Sequence, residues 1–330
     1  MNNLKKIGMT ALAASLVSTS VFAGELTVTG EASMLYENYT TTGVAATDDN
    51  DKYFSQGNNI YFTGGGELEN GMTVAVSFEL DDGANGATSS SLSVWDNHSV
   101  TVSSDSLGSF TLAGHGGSSA QSALDTTAAG DIWDNFDGVS AVATTAKLNS
   151  SKDGNNIMKY TLPAMIDGVS ASVSYQAGGN IDAGAASSTA YGVTYKGVEG
   201  LTLSYGYGED NTTKADEREV TTMAAAYAYG PLTVSYTETE NDATAVADQT
   251  LTSYSVTYTV SENLSVKYGN EEFDNQASGQ VVDPEYTSIS AAYTSGGMTI
   301  TAGMQTAENA NGLVADKDVD YNYLGLSFAF

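Results

Sequence analysis

The 330 residues contain no cysteine, and their single arginine is Arg218. The missing thiols exclude disulfide staples, thiolate zinc sites and cysteine nucleophiles together. Eleven basic residues stand against 40 acidic ones. Nucleic acid is therefore not a partner, because neutralising phosphates takes clusters of Lys and Arg. Histidine is limited to His98 and His115. His115 is followed by Gly116-Gly117-Ser118-Ser119, a loop composition without a nucleophile motif, so the chain is not expected to be an enzyme. Charged residues are only 15% of the total, against about 25% in an ordinary soluble domain. The net charge is nevertheless −29. Strong imbalance with sparse charge calls for a surface that is largely uncharged.

Long helices are missing as well. No apolar run after Gly24 suffices for a membrane helix, and no sustained i, i+3, i+4 pattern appears. Thirty-five glycines, with many Ser and Thr, are scattered throughout. Residues 1–23 read as a cleavable signal peptide: Lys5 and Lys6, an apolar stretch from Ile7 to Val17, and a small-residue site at Val21-Phe22-Ala23. Cleavage before Gly24 leaves nine basic residues against 40 acidic, a net −31, on a chain exported across a bacterial inner membrane.

Residues 24–330 are filled by period-2 alternation in stretches of about ten residues, the signature of half-buried strands. In 25–37, Leu26, Val28, Ala32, Met34 and Tyr36 share one face and Glu25, Thr27, Thr29, Glu31, Ser33 and Glu37 the other. The segment 72–81 sets Met72, Val74, Val76, Phe78 and Leu80 against Thr73, Ser77, Glu79 and Asp81. Short turns such as Glu69-Asn70-Gly71 and Gly230-Pro231 alternate strictly with long polar loops such as 40–57, 209–218 and 273–284. Sixteen strands result, among them 25–39, 58–68, 91–104, 219–229 and 319–330. An antiparallel meander of this length removes its edges by closing. Leu, Ile and Phe are too few to fill a sandwich core, whereas tyrosine, at 20 residues, is abundant. Tyr36, Tyr175, Tyr195, Tyr205, Tyr236, Tyr268 and Tyr293 fall on the apolar parity near strand ends, where an outer-membrane barrel places its interfacial rings. The expected fold is all-β: a 16-stranded antiparallel transmembrane β-barrel with short periplasmic turns and long extracellular loops.

The chain ends YNYLGLSFAF, with Leu324, Leu326, Phe328 and Phe330 on one face. A last strand ending in Phe resembles the signal by which outer-membrane barrels are handed to their assembly machinery. Together with sixteen strands and an outsized loop after the fifth, it makes the whole mature chain resemble the trimeric general porins of Gram-negative bacteria, alphaproteobacterial type. That resemblance implies a homotrimer passing small hydrophilic solutes and ions by passive diffusion in the outer membrane, among lipid and lipopolysaccharide. It also implies that the third loop, here 116–155, folds inward as a constriction, with carboxylates facing basic wall residues.

On that loop Asp125, Asp131, Asp134 and Asp137 supply carboxylates, while Trp133 and Phe136 are suited to packing it against the wall. Lys159 and Lys267 are the candidate cations of the constriction, with Lys147 and Lys152 at the end of the loop. Sixteen strands leave a wet lumen, so the polar parity lines water through Glu31, Glu67, Glu79 and Lys196. The sequence departs from the family pattern in having no arginine on any of its expected strands, and His115 stands where relatives often carry arginine. A weak transverse field and a cation preference are expected. No cofactor is expected, although Asp48, Asp49 and Asp51 have oxygen ligands spaced closely enough for Ca²⁺. A substrate-specific channel and, in another class, a secreted β-rich adhesin or surface-layer protein remain open alternatives. Most aromatics fall on the lipid parity, which argues against a sugar-binding ladder in the lumen.

Overall fold

In the computed structural model the described residues are 26–42, 50–81, 95–136, 151, 154–178, 187–213, 216–243, 248–275, 282–310 and 318–330. The strands are β1 Thr27–Thr42, β2 Asn50–Glu67, β3 Thr73–Asp81, β4 Trp95–Ser104, β5 Gly108–His115, β6 Ile157–Thr161, β7 Val169–Gln176 and β8 Ser188–Val198. They continue as β9 Leu201–Thr213, β10 Asp216–Tyr229, β11 Leu232–Ala243, β12 Gln249–Ser261, β13 Leu264–Asn275, β14 Glu285–Ser295, β15 Met298–Glu308 and β16 Asp318–Ala329. Each pairs antiparallel with its neighbours in sequence, and β1 pairs with β16 to close the barrel. Closure satisfies every edge, the only way a sheet can cross hydrocarbon. At the seam the backbone of Phe330 exchanges hydrogen bonds of 2.8 and 2.9 Å with Gly30. A Cβ on Gly30 would stand 2.6 Å from the Phe330 ring, so the bare glycine is what lets the terminal ring lie across the seam.

Alternation sorts the side chains as the strands close. Leu26, Val28, Met34, Val76, Phe78, Leu112, Val193, Leu203, Val234, Ile289, Met304 and Leu324 point outward, many of them exposed. Two aromatic bands flank this apolar belt, as at the interfaces of a membrane barrel. Tyr160, Tyr227, Tyr229, Tyr258, Tyr293 and Phe328 lie toward the short turns, and Phe54, Tyr175, Tyr191, Tyr205, Tyr236, Tyr254 and Tyr268 toward the long loops.

Four features differ from the sequence reading. The first strands extend further than 25–39 and 58–68, so the backbone of Asp51 pairs with Tyr39 inside β2 rather than lying in a loop. Asp48 and Asp49 lie outside the described residues, as do residues 1–23, Asp137, Lys147 and Lys152. The loop expected at 209–218 is mostly strand, and Arg218 sits on β10 in register with Asp210 of β9. A strand arginine therefore exists, and it faces inward beside an acid. Polar residues hid these extensions, because a barrel strand continues past the bilayer, where neither face needs to be apolar. The third difference is a set of inward-facing tyrosines, Tyr39, Tyr53, Tyr61, Tyr286, Tyr321 and Tyr323, on the parity of the acids. Finally, Lys267 occupies the wall behind the constricting loop.

Candidate functional site: the constriction

The residues after β5 leave the rim and run along the inner wall from β7 round to β1. The attachment is chemically uniform. A loop folded inside a barrel carries backbone N–H groups that need acceptors, and the wall provides hydroxyls and carboxylates. Ala120 N–H donates to Ser174 Oγ on β7 at 2.8 Å, Ala128 N–H to Thr237 Oγ1 on β11 at 2.9 Å, and Ala129 N–H to Ser253 Oγ on β12 at 2.8 Å. Gln121 Nε2 donates to Thr222 Oγ1 on β10 at 2.8 Å. The abundant luminal Ser and Thr are thus the loop's acceptors. Glycines make room for its backbone: at Gly269 on β13 a Cβ would stand 2.8 Å from Ala129 Cβ, and at Gly192 on β8 it would collide with the Ala120 carbonyl.

The loop then forms a short 3₁₀ helix, Ile132–Phe136, entered through Asp131 at a φ of 54°. Asp131 closes the preceding turn, accepting from Thr127 Oγ1 at 2.8 Å, and Asp125 accepts from Thr127 N–H at 3.3 Å. The helix divides its residues by face. Ile132, Trp133 and Phe136 are buried against the wall, whereas Asp131, Asp134 and Asn135 are exposed to the channel. Trp133 N–H donates to Glu271 Oε2 on β13 at 3.0 Å, and Glu271 is fully buried. The Trp133 ring meets Phe273 edge-on at 5.9 Å. At the far end Tyr39 donates to the Asn135 carbonyl at 2.7 Å, Asn135 donates to Gln305 at 3.1 Å, and the Phe136 ring inserts among Tyr39, Tyr286 and Tyr321.

With β7 to β1 covered, the open channel lies between the loop and β2–β6. Glu79 on β3 is held there by Asn59 at 2.7 Å and by Asn97. Glu31 and Glu67 are exposed on the same inward parity, Glu67 toward the short turns. Lys159 on β6, in register between Thr111 and Ser174, is the lysine of that uncovered wall among the described residues. His115, at the end of β5, pairs with Asp96 at 3.0 Å, and no hydroxyl hydrogen-bonds to it among the described residues. Lys196 is exposed near the short-turn rim. Lys267 lies one step below Gly269, its Nζ 3.4 Å from where a Cβ on Gly130 would be. It therefore stands on the loop's own side, beside Asp125 and Asp131, and not across the aperture.

The structure thus brings Asp125, Asp131, Asp134 and Lys267 together, and keeps Glu79 and Lys159 on the facing wall. Sequence reading missed Glu271, Asp96 and the luminal hydroxyls. Glu271 shares the parity of Lys267, which was the available signal.

Asp125 reaches luminal water, yet the wall around it displaces bulk solvent. That crowding, with a smaller contribution from Asp131 and against the pull of Lys267, raises its pKa above the usual aspartate value. As pH falls, Asp125 is accordingly expected to lose its charge before an ordinary aspartate would. Reversal potentials taken from pH 7 downward should begin to shift toward Cl⁻ permeation above the range of a free aspartate. Asp125→Asn should remove that early shift; its persistence in the variant would assign it to another group.

A closed sixteen-stranded barrel with an apolar outer belt, two aromatic bands and a lumen narrowed by its third loop defines an outer-membrane channel of the porin class. The family model described as Gram-negative porin matches residues 8–281, and the chain belongs to that family. The family is one of channels rather than enzymes, and its place is the outer membrane. None of the curated proteins matches. Among solved structures, the chain is similar to the anion-selective porin of Comamonas acidovorans, with a TM-score of 0.68 at 16% identity over 93% of this chain and 100% of that one. It is also similar to a loop-deletion form of OmpT of Vibrio cholerae (0.67, 15%, 93% and 100%). A third likeness is to OmpF of Salmonella typhi, solved with daunomycin (0.66, 15%, 93% and 98%). At these identities the likeness speaks for the fold.

Proposed function

We propose that this porin is a passive diffusion channel for small hydrophilic solutes and ions, with a preference for cations. The observation that carries the reading is the distribution of carboxylates. Asp125, Asp131 and Asp134 line the loop side of the aperture, while Glu31, Glu67 and Glu79 line the rest of the lumen. The cations do little to offset them. Lys267 sits among the loop acids, Arg218 faces Asp210, and Lys159 stands alone on the open wall. A lumen fixed at one sign concentrates the opposite ion. In a KCl gradient across a planar bilayer, the reversal potential should have the sign of K⁺ preference; Cl⁻ preference would overturn the reading.

The same reading treats residues 1–23 as a cleaved export signal, residues 24–330 as the barrel and Phe330 as the mark read by the assembly machinery. It takes the assembled unit as a homotrimer seated among lipopolysaccharide, and it leaves Asp48, Asp49 and Asp51 as weak candidates for Ca²⁺. The outward Glu272, Glu285 and Glu308 stand side by side in register on β13–β15, a repulsive arrangement that divalent ions at a lipopolysaccharide surface would relieve.

A further inference from the structure

At the root of the loop, between it and β3–β6, lies a recess of 240 Å³. Its lining is unlike the rest of this acidic chain. Lys159, His115 and Asn97 face it together with Ser77, Ser99, Thr111 and Ser118, and no carboxylate lines it among the described residues. The nearby acids are already engaged. Asp96 is paired with His115, and Glu79 takes hydrogen bonds from Asn97 and Asn59. Lys159 has no ion pair among the described residues. Its ammonium therefore faces a small, hydroxyl-rich space with its charge uncompensated.

We propose that this recess is a binding site for the oxyanion group, phosphate or carboxylate, of a small polar solute in transit; the inference rests on the channel reading above. Lys159 supplies the point charge, and the serine and threonine hydroxyls supply rotatable donors for the remaining oxygen lone pairs, with the second N–H of the Asn97 amide, fixed by its bond to Glu79, beside them. His115, held through Nδ1 against Asp96, completes the polar lining. An oxyanion that also carries a hydroxyl, such as monohydrogen phosphate or a hydroxycarboxylate, can accept from these donors and return its own O–H to a serine or threonine oxygen. The site does not contradict cation preference. The acidic lumen acts on passing ions over distance, whereas the recess acts by contact.

High salt separates the two effects, because at 1 M the screening length is about 3 Å and contact binding persists. Single channels in 1 M KCl at pH 7 should show interruptions, rising with concentration, when inorganic phosphate or gluconate is added. Whichever gives the lower half-saturating concentration identifies the preferred oxyanion. Lys159→Gln should raise that concentration at least about tenfold and Lys159→Arg by less than about threefold. Lys52→Gln, which removes a charge on the outward parity of β2, should leave it unchanged. A β-sheet circular dichroism spectrum and well-resolved open-channel steps in each variant verify the barrel. Normal channels with no interruptions from either oxyanion, or interruptions indifferent to Lys159→Gln, would overturn the site alone. Absence of any conducting channel in the unmodified protein would overturn the channel reading and the site with it.

Discussion

Phe136→Ala is expected to release the far end of the constricting loop while leaving the barrel intact. The Phe136 ring is fully buried and lies 5.7 to 6.4 Å, centroid to centroid, from Tyr286, Tyr321 and Tyr39. Truncating a buried phenylalanine costs about 3–5 kcal/mol. At this position the loss bears on the docking of the loop, because Phe136 belongs to no strand. The neighbouring bonds from Tyr39 to Asn135 and from Asn135 to Gln305 depend on the same seating. The ladder bonds that close the sheet are untouched. Single-channel current should become noisy and its mean should rise, and sugars excluded by the unmodified protein should enter proteoliposomes. Circular dichroism should still report a β-barrel. Unchanged noise and size cut-off would mean that the backbone bonds to Ser174, Thr237 and Ser253 hold the loop unaided.

The second large effect is expected on ion selectivity. Replacing Asp125, Asp131 and Asp134 together by Asn removes three charges from one edge of the aperture without changing side-chain size. At about 6 Å in water each charge is worth about 0.7 kcal/mol to a passing monovalent ion, so the three together approach about 2 kcal/mol, or about thirtyfold. At 0.1 M salt the screening length of about 10 Å leaves most of that intact. The K⁺/Cl⁻ permeability ratio should fall by about tenfold or more. A ratio that stays put would show these aspartates to be solvated bystanders, with selectivity set by Glu31, Glu79 or the outer loops. Asn substitution also keeps an acceptor at position 131 for the Thr127 hydroxyl, so the turn entering the 3₁₀ helix should survive.

The acidic imbalance that first marked the sequence thereby gains an address. The outer face must be nearly uncharged where it meets lipid, so the acids gather in the lumen, on the loop and beyond the aromatic bands. Sparse charge and strong imbalance are two consequences of one wall with one dry face.

Strand number, closure, the lipid-facing tyrosines and the inward parity of Glu31, Glu79, Lys159 and Lys267 were legible in the sequence alone. They follow from a period of two, which is a local property, and from the need of a long meander to satisfy its edges. The strand extensions at Asn50 and Asp216 were not legible, because outside the bilayer the alternation loses its apolar half. The course of the loop was hidden for another reason. Its hydrogen-bond partners lie up to 170 residues away in sequence, from Asn135 to Gln305, and most are ordinary serines and threonines, with glycines beside them, that stand out only once the opposing backbone is in place. Only the tertiary structure decided that Lys267 lies behind the loop and Lys159 in front of it. Parity assigns a residue to the inside of a barrel; its position around the circumference relative to the loop fixes which charges meet the permeating ion.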